Sequence, residues 1–292
     1  MHIRVGCEFS YEATWPTPTV LLVQPHPDAL HTTVREEWKF TPPLTMNTYH
    51  DIYGNLCQRV LLPIGVHALY YDALVEVPNS WDEVAPAAAE VPVEDLPADV
   101  LLYTLPSRFC LSDELSNTAW RLFGDTKPGW ERVQAICDWV HTTIRFQYGT
   151  STPLTTAVDV YVQGVGVCRD FTHLAVSFCR ALNIPTRYVF GYLPDIGVPA
   201  SDASMDFCAW MEVYLGGRWW TFDPRNNTPR VGRVLIGRGR DALDVAMVTS
   251  YGSPTLKKMT VWADEAPAEV AIASATSARD VDKPASEDTV SL

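Results

Sequence analysis

Two cysteines and one aspartate carry the residue types most capable of chemistry. Cys168 follows GVGV, with Gly164 and Gly166 just ahead, and a helical pattern opens at it: Phe171, Leu174, Ala175, Phe178 and Leu182 form an apolar stripe. A thiol at a helix N-terminus sits in a field that favours thiolate, and the adjacent backbone N–H can meet a developing oxyanion. Cys208 and Asp223 lie in CAWMEVYLGGRWWTFD. Gly216-Gly217 suits a two-residue hairpin turn with positive φ at both positions. With that loop, 215 pairs with 218 and Trp210 lies opposite Asp223. Cys208 is then diagonal to Asp223 on the same face, about 7–8 Å away. Alternation puts Cys208, Trp210, Glu212, Tyr214, Trp219, Thr221 and Asp223 on one side of the hairpin.

The elements that must position these residues are legible in part. IRVGCEF, YGNLCQRVLLPI and LYYDALVEVP read as strands, with a turn cluster at Asp51–Asn55. Residues 1–80 are expected to form an antiparallel β domain. Residues 81–106, rich in Pro, Ala and acid, read as a linker. A helix start is expected from Ser112. After Gly129, the residues Trp130, Val133, Ile136, Cys137, Val140 and Ile144 recur at helical spacing. The helix after Cys168 is expected to bury one face and to stop before Pro185. TRYVFGYL reads as a strand. Residues 263–292 lack aromatics and carry seven acids against two bases, so a disordered acidic tail is expected there.

GVCRDFTHLAVSFCRALNIPTRYVFGYL followed by AWMEVYLGGRWWTFDP resembles the core of the transglutaminase-like family, a relative of the papain-like cysteine proteases. The segment 1–80 resembles the N-terminal domain of its bacterial members. The resemblance implies an α+β fold, with the core over 107–262. It also implies a Cys-His-Asp triad, in which Cys168 matches the nucleophile and Asp223 the acid that orients the histidine. Cys208 stands in the histidine slot. The expected activity is thiol-dependent acyl transfer or hydrolysis of an amide or peptide, through an atypical Cys168–Cys208–Asp223 constellation. The alternatives are a catalytically silent binding or scaffold protein, and a two-thiol racemase-type proton transfer. A redox pair, or a zinc site on the two thiols and Asp223, fits poorly, since a structural zinc takes four protein ligands.

A replacement base is not evident. His173 lies five residues past Cys168, about 140° around the helix from it. Nothing in the sequence brings His141 near. Arg169 and Asp170 suit an anchor for the helix start as well as a substrate contact, and Glu212 suits a paired structural acid. A net charge of -13 disfavours nucleic acid and anionic membranes as partners. Seven scattered cysteines without C-x-x-C, no secretory signal pattern and no long apolar run suggest a cytoplasmic protein. Neither cofactor nor metal is expected; the expected partner is a peptide, protein or small amide substrate.

Overall fold

Strict alternation in HIRVGCEFSYEA buries Ile3, Val5, Cys7, Phe9, Tyr11 and Ala13 on one face of strand β1 (His2–Ala13). The computed structural model, which describes residues 1–27, 31–199 and 204–266, places five more strands before residue 80. These are β2 (Thr17–Leu21), β3 (Thr32–Thr41), β4 (Asn47–His50), β5 (Leu56–Leu62) and β6 (Gly65–Glu76). β1, β5 and β6 are the strands expected from sequence. β3 and β4 are mostly exposed; β4 carries no apolar alternation, and β3 only a weak one in Val34, Trp38 and Phe40. The turn between β4 and β5 is held by Asp51, whose Oδ1 accepts from Tyr53 N (2.8 Å) and Asn55 N (2.9 Å).

Helices α1 (Ser116–Phe123) and α2 (Trp130–Thr143) come next, followed by the two-residue strand β7 (Arg145–Phe146). Then come α3 (Ala157–Gln163), the equally short β8 (Val165–Gly166) and α4 (Cys168–Ala181). α1 starts four residues later than the sequence suggests. All six apolar positions expected from α2 and its C-terminal flank, Trp130 through Ile144, are buried. α4 departs from expectation more strongly: every residue from Asp170 to Arg180 is buried, not one face alone. Several of its buried polar side chains donate to backbone carbonyls, whereas His173 Nδ1 has no hydrogen-bond partner among the described residues. Thr172 Oγ1 donates to Cys168 O (2.9 Å), Ser177 Oγ to His173 O (2.7 Å), and Arg180 to the carbonyls of Thr186 and Arg240.

The chain continues through β9 (Thr186–Tyr192), β10 (Cys208–Leu215), β11 (Arg218–Phe222) and β12 (Val234–Gly239). These make one antiparallel sheet, ordered β11-β10-β9-β12. Leu215 pairs with Arg218 and Met211 with Phe222, the register expected from the Gly-Gly turn. Gly216 and Gly217 have φ of 59° and 87°. Met211, Val213, Leu215 and Phe222 face the helices and complete their core. The opposite face of the sheet carries a charge clamp: Glu212 pairs with both Arg187 (2.6 Å) and Arg238 (2.9 Å). Burial pushes the Glu212 carboxyl up, but the two guanidiniums outweigh it and hold the group below its ordinary value.

β13 (Val248–Ser250) and β14 (Thr255–Glu265) return to the N-terminal part. β14 joins the sheet β14-β1-β6-β3, and β13 joins β13-β2-β5-β4. Strands that the sequence places with the core therefore finish the N-terminal sheets. Residues 263–265 of the expected tail belong to β14; its remainder from 267 lies outside the described residues. The segment 81–106 is a strap rather than a free spacer. Ala88 O accepts from Trp130 N (3.0 Å), Ala89 O from Gly216 N (2.8 Å), and Glu90 pairs with the buried Arg132 (3.1 Å). Its prolines prevent a ladder, yet its carbonyls and acids serve donors on the core, which no local pattern reveals.

Glu212→Ala is expected to leave two buried guanidiniums without their shared anion. Chemical denaturation should show a loss of about 3–5 kcal/mol. A loss under about 1 kcal/mol, the scale of an exposed pair, would show that the clamp does not hold β9, β10 and β12 together.

Candidate active site

Cys168 opens α4 because the turn before it closes tightly. A Cβ on Gly166 would come within 2.7 Å of the Asp170 Cβ, so glycine lets Asp170 fold back over the helix start. The Asp170 carboxylate, fully buried, accepts from Val167 N (2.9 Å), Ser151 Oγ (2.9 Å) and Arg169 Nε (3.2 Å). Arg169 and Asp170 thus anchor the helix start.

The helix points its N-terminus at the beginning of β10. Cys168 Sγ lies 3.8 Å from Phe207 O, and Cys208 Sγ lies 3.7 Å from Ala209 O. Gly191 pairs with Cys208 across β9; a side chain there would strike Val234 O and the Trp210 ring. The neighbouring Cys208 thiol is the main influence lowering the Cys168 pKa below its ordinary value; burial opposes it, the Ala209 N–H and the Arg225 charge support it, and Asp206 opposes it. Cys208 moves the other way. The neighbouring Cys168 thiol, then burial, then the charges of Cys168 and Asp223 push it well above the ordinary value. Of the two thiols, Cys168 is therefore the one that ionises more readily.

Asp223 is on the expected face but does not orient Cys208. Its Oδ1 accepts from Arg225 N (3.1 Å) and Asn226 N (2.8 Å). Its Oδ2 accepts from Asn226 Nδ2 (2.8 Å) and Arg233 Nη2 (2.9 Å). Asp223 acts on Cys208 through its charge. Arg233 in turn lies between Asp223 and Asp82, both at 2.9 Å, with its guanidinium 4.9 Å from the Trp210 ring. Asp82 comes from the strap, where the sequence offers no sign of such a role.

Neither histidine serves as base. His173 is fully buried, stacked at 5.2 Å on Phe109 and 4.9 Å from Tyr188, and its Nε2 accepts from Ala242 N (3.1 Å). Burial pushes it well below its ordinary value, so it stays neutral. His141 is exposed, and its Nδ1 donates to Arg225 O (2.9 Å).

Both cysteines line a cavity of about 100 Å³, walled by Phe146, Tyr148 and Leu193 and edged by Asp206 and Arg225. Sequence reasoning missed Asp206 and Tyr148. The spacing of Asp206, two residues before Cys208, was the one available signal. A larger cavity of about 330 Å³ lies on the charged face of the sheet, lined by Arg187, Glu212, Trp219 and Arg233, and contains neither cysteine. Among the described residues, no cluster of three or more His, Cys, Asp or Glu could hold a metal ion, and no helix is long and apolar enough to cross a membrane.

The model of the transglutaminase-like superfamily matches residues 117–224, a stretch that contains Cys168, Cys208 and Asp223. An uncharacterized protein of Mycobacterium leprae is 35% identical over 121 residues, 39% of this chain and 42% of that one. The chain thus matches less than half of that relative's length. An uncharacterized protein of Mycobacterium tuberculosis is 26% identical over 227 residues, covering 70% of this chain and 71% of the other. Among solved structures, a Cytophaga hutchinsonii protein provisionally named a cysteine protease is 30% identical, with a TM-score of 0.82 over 91% of this chain and 93% of that one. The α+β architecture, the helix that begins at a cysteine and the hairpin that ends in TFDP are therefore those of a member of the transglutaminase-like superfamily, to which this chain belongs.

Proposed function

We propose that the chain is a thiol-dependent acyltransferase or hydrolase acting on an amide or peptide, with Cys168 as nucleophile. The observation that carries this reading is the environment of Cys168. It opens α4, borders a cavity that Cys208 also lines, and has its pKa lowered first by the neighbouring Cys208 thiol. The thiolate attacks the substrate carbonyl and forms an acyl thioester. The N–H of Cys168, with no acceptor inside the helix, is placed for the oxyanion. Cys208 is the donor that localises charge on Cys168, and Asp223 keeps Cys208 protonated. Water as acceptor gives hydrolysis; an amine gives transfer.

A racemase-type reaction needs a carbon between the two thiols. Here each sulfur lies against a backbone carbonyl, Cys168 against Phe207 O and Cys208 against Ala209 O, and the opposite pKa directions of the pair favour a single nucleophile over two exchangeable acid–base groups. A silent binding protein on the same fold would require an unactivated Cys168.

Two outcomes are expected. In Cys208→Ala, the pH inflection for iodoacetamide labelling of Cys168 should rise, because the largest influence lowering its pKa is removed. The sign follows from the lowered pKa: wild-type Cys168 reacts at lower pH, and loss of the donor moves its reactivity toward alkali. An unchanged inflection would remove Cys208 from the mechanism. Treatment with p-nitrophenyl acetate and an acid quench should place an acetyl group on Cys168 in wild type and none there in Cys168→Ser. Absence of the wild-type adduct would leave the binding-protein reading.

A further inference from the structure

Thiolate attack completes half of an amide cleavage. From the tetrahedral intermediate a thiolate leaves more readily than an amide anion, so the departing nitrogen must take a proton. Among the described residues no histidine lines the cavity of the two cysteines. The Cys208 thiol, raised well above its ordinary value, gives up its proton poorly. The guanidiniums of Arg225 and Arg230, which also face this space, do not give up protons. Burial, first, and then the charges of Asp206 and Cys168 push the Tyr148 hydroxyl up, away from proton exchange near neutrality. Asp195 at the rim is paired with Arg230 at 3.0 Å.

Asp206 remains. Phe207 is buried in the core shared with the N-terminal sheets, while its two neighbours, Asp206 and Cys208, line the cavity on either side of it. The Asp206 carboxylate is half-buried, and its Oδ1 accepts from Phe207 N at 2.7 Å. We propose that Asp206 is the general acid–base of this site, a catalytic residue that moves the protons the histidine of the family triad would move. This rests on the acyl-transfer reading above.

The electrostatics agree. Burial raises the Asp206 carboxyl, the Phe207 N–H opposes that rise, and the Asp206 charge raises the Cys168 pKa. The reactive arrangement is Cys168 thiolate with Asp206 as acid. The thiolate forms the C–S bond and the carbonyl electron pair moves to oxygen. As that pair returns, the C–N bond breaks, the Asp206 proton passes to nitrogen, and neutral amine leaves. Asp206, now a carboxylate, takes a proton from water as the water oxygen attacks the thioester. The C–S bond breaks, the carboxylic acid is released, and the starting arrangement of thiolate and acid is restored.

p-Nitrophenyl acetate separates the steps, because p-nitrophenolate leaves without an acid whereas the acetyl-enzyme needs a base to hydrolyse. Intact-mass time courses on the full chain should show Asp206→Asn acetylating at Cys168 within a few-fold of the wild-type rate. Its acetyl-enzyme should then deacetylate about 10²–10⁴-fold more slowly. Asp206→Glu should deacetylate faster than Asp206→Asn. Deacetylation of Asp206→Asn at the wild-type rate would overturn the proposal. So would equal loss in both steps, the mark of a structural role, or a wild-type acetyl-enzyme as long-lived as the variant's. A wild-type Cys168 that takes no acetyl group overturns the acyl-transfer reading itself, and is distinguished by failing before any substitution is made.

Discussion

The site depends on one junction, the meeting of the α4 N-terminus with the first residues of β10. Cys168 stands at the start of a helix that is buried on all sides, so its position is held by packing from both cores. Cys208 stands at the start of a strand whose register is set by Gly216-Gly217 at the far end. A one-residue slip in that hairpin would turn Cys208 to the helical side and Met211 to the charged side. Gly191 and Gly166 permit the close approaches on either side of the junction.

Charge around the junction sets the two thiols apart, lowering the pKa of Cys168 and raising that of Cys208. Asp223 spends its oxygens on four donors, and its negative charge discourages ionisation of Cys208. Arg233, between Asp82 and Asp223, keeps that buried carboxylate compensated. This chain of charges runs from the strap to the hairpin, so it also fastens residues 81–106 to the core. A histidine would supply both positive charge and a mobile proton. On the proposed reading, the groups that lower Cys168 serve the first task, and Cys208, raised well above its ordinary value, is unsuited to the second.

Much of this was legible in the sequence, for physical reasons. Helical spacing located α2 and α4, and the Gly-Gly turn predicted the pairing of β10 with β11 from Met211–Phe222 to Leu215–Arg218. The angular offset of His173 correctly set it apart from Cys168, and the structure adds why: it is a neutral core residue between Phe109 and Tyr188. What stayed hidden depends on contacts distant in sequence. β14 pairs with β1 across about the whole chain, and Asp82 reaches Arg233 across 151 positions. β4 had no apolar alternation to betray it, and in β3 Val34, Trp38 and Phe40 are diluted by charged neighbours. The polar residues of α4 suggested an exposed face because their partners are backbone carbonyls, which sequence patterns do not encode.

The central claim is that Cys168 rests as a thiolate stabilised by a neutral Cys208. It is tested most directly by titrating thiolate absorbance in the ultraviolet, wild type minus Cys168→Ser, against pH. The account predicts a midpoint clearly below the value of about 8.5 for an unperturbed cysteine. A midpoint at or above that value would contradict it.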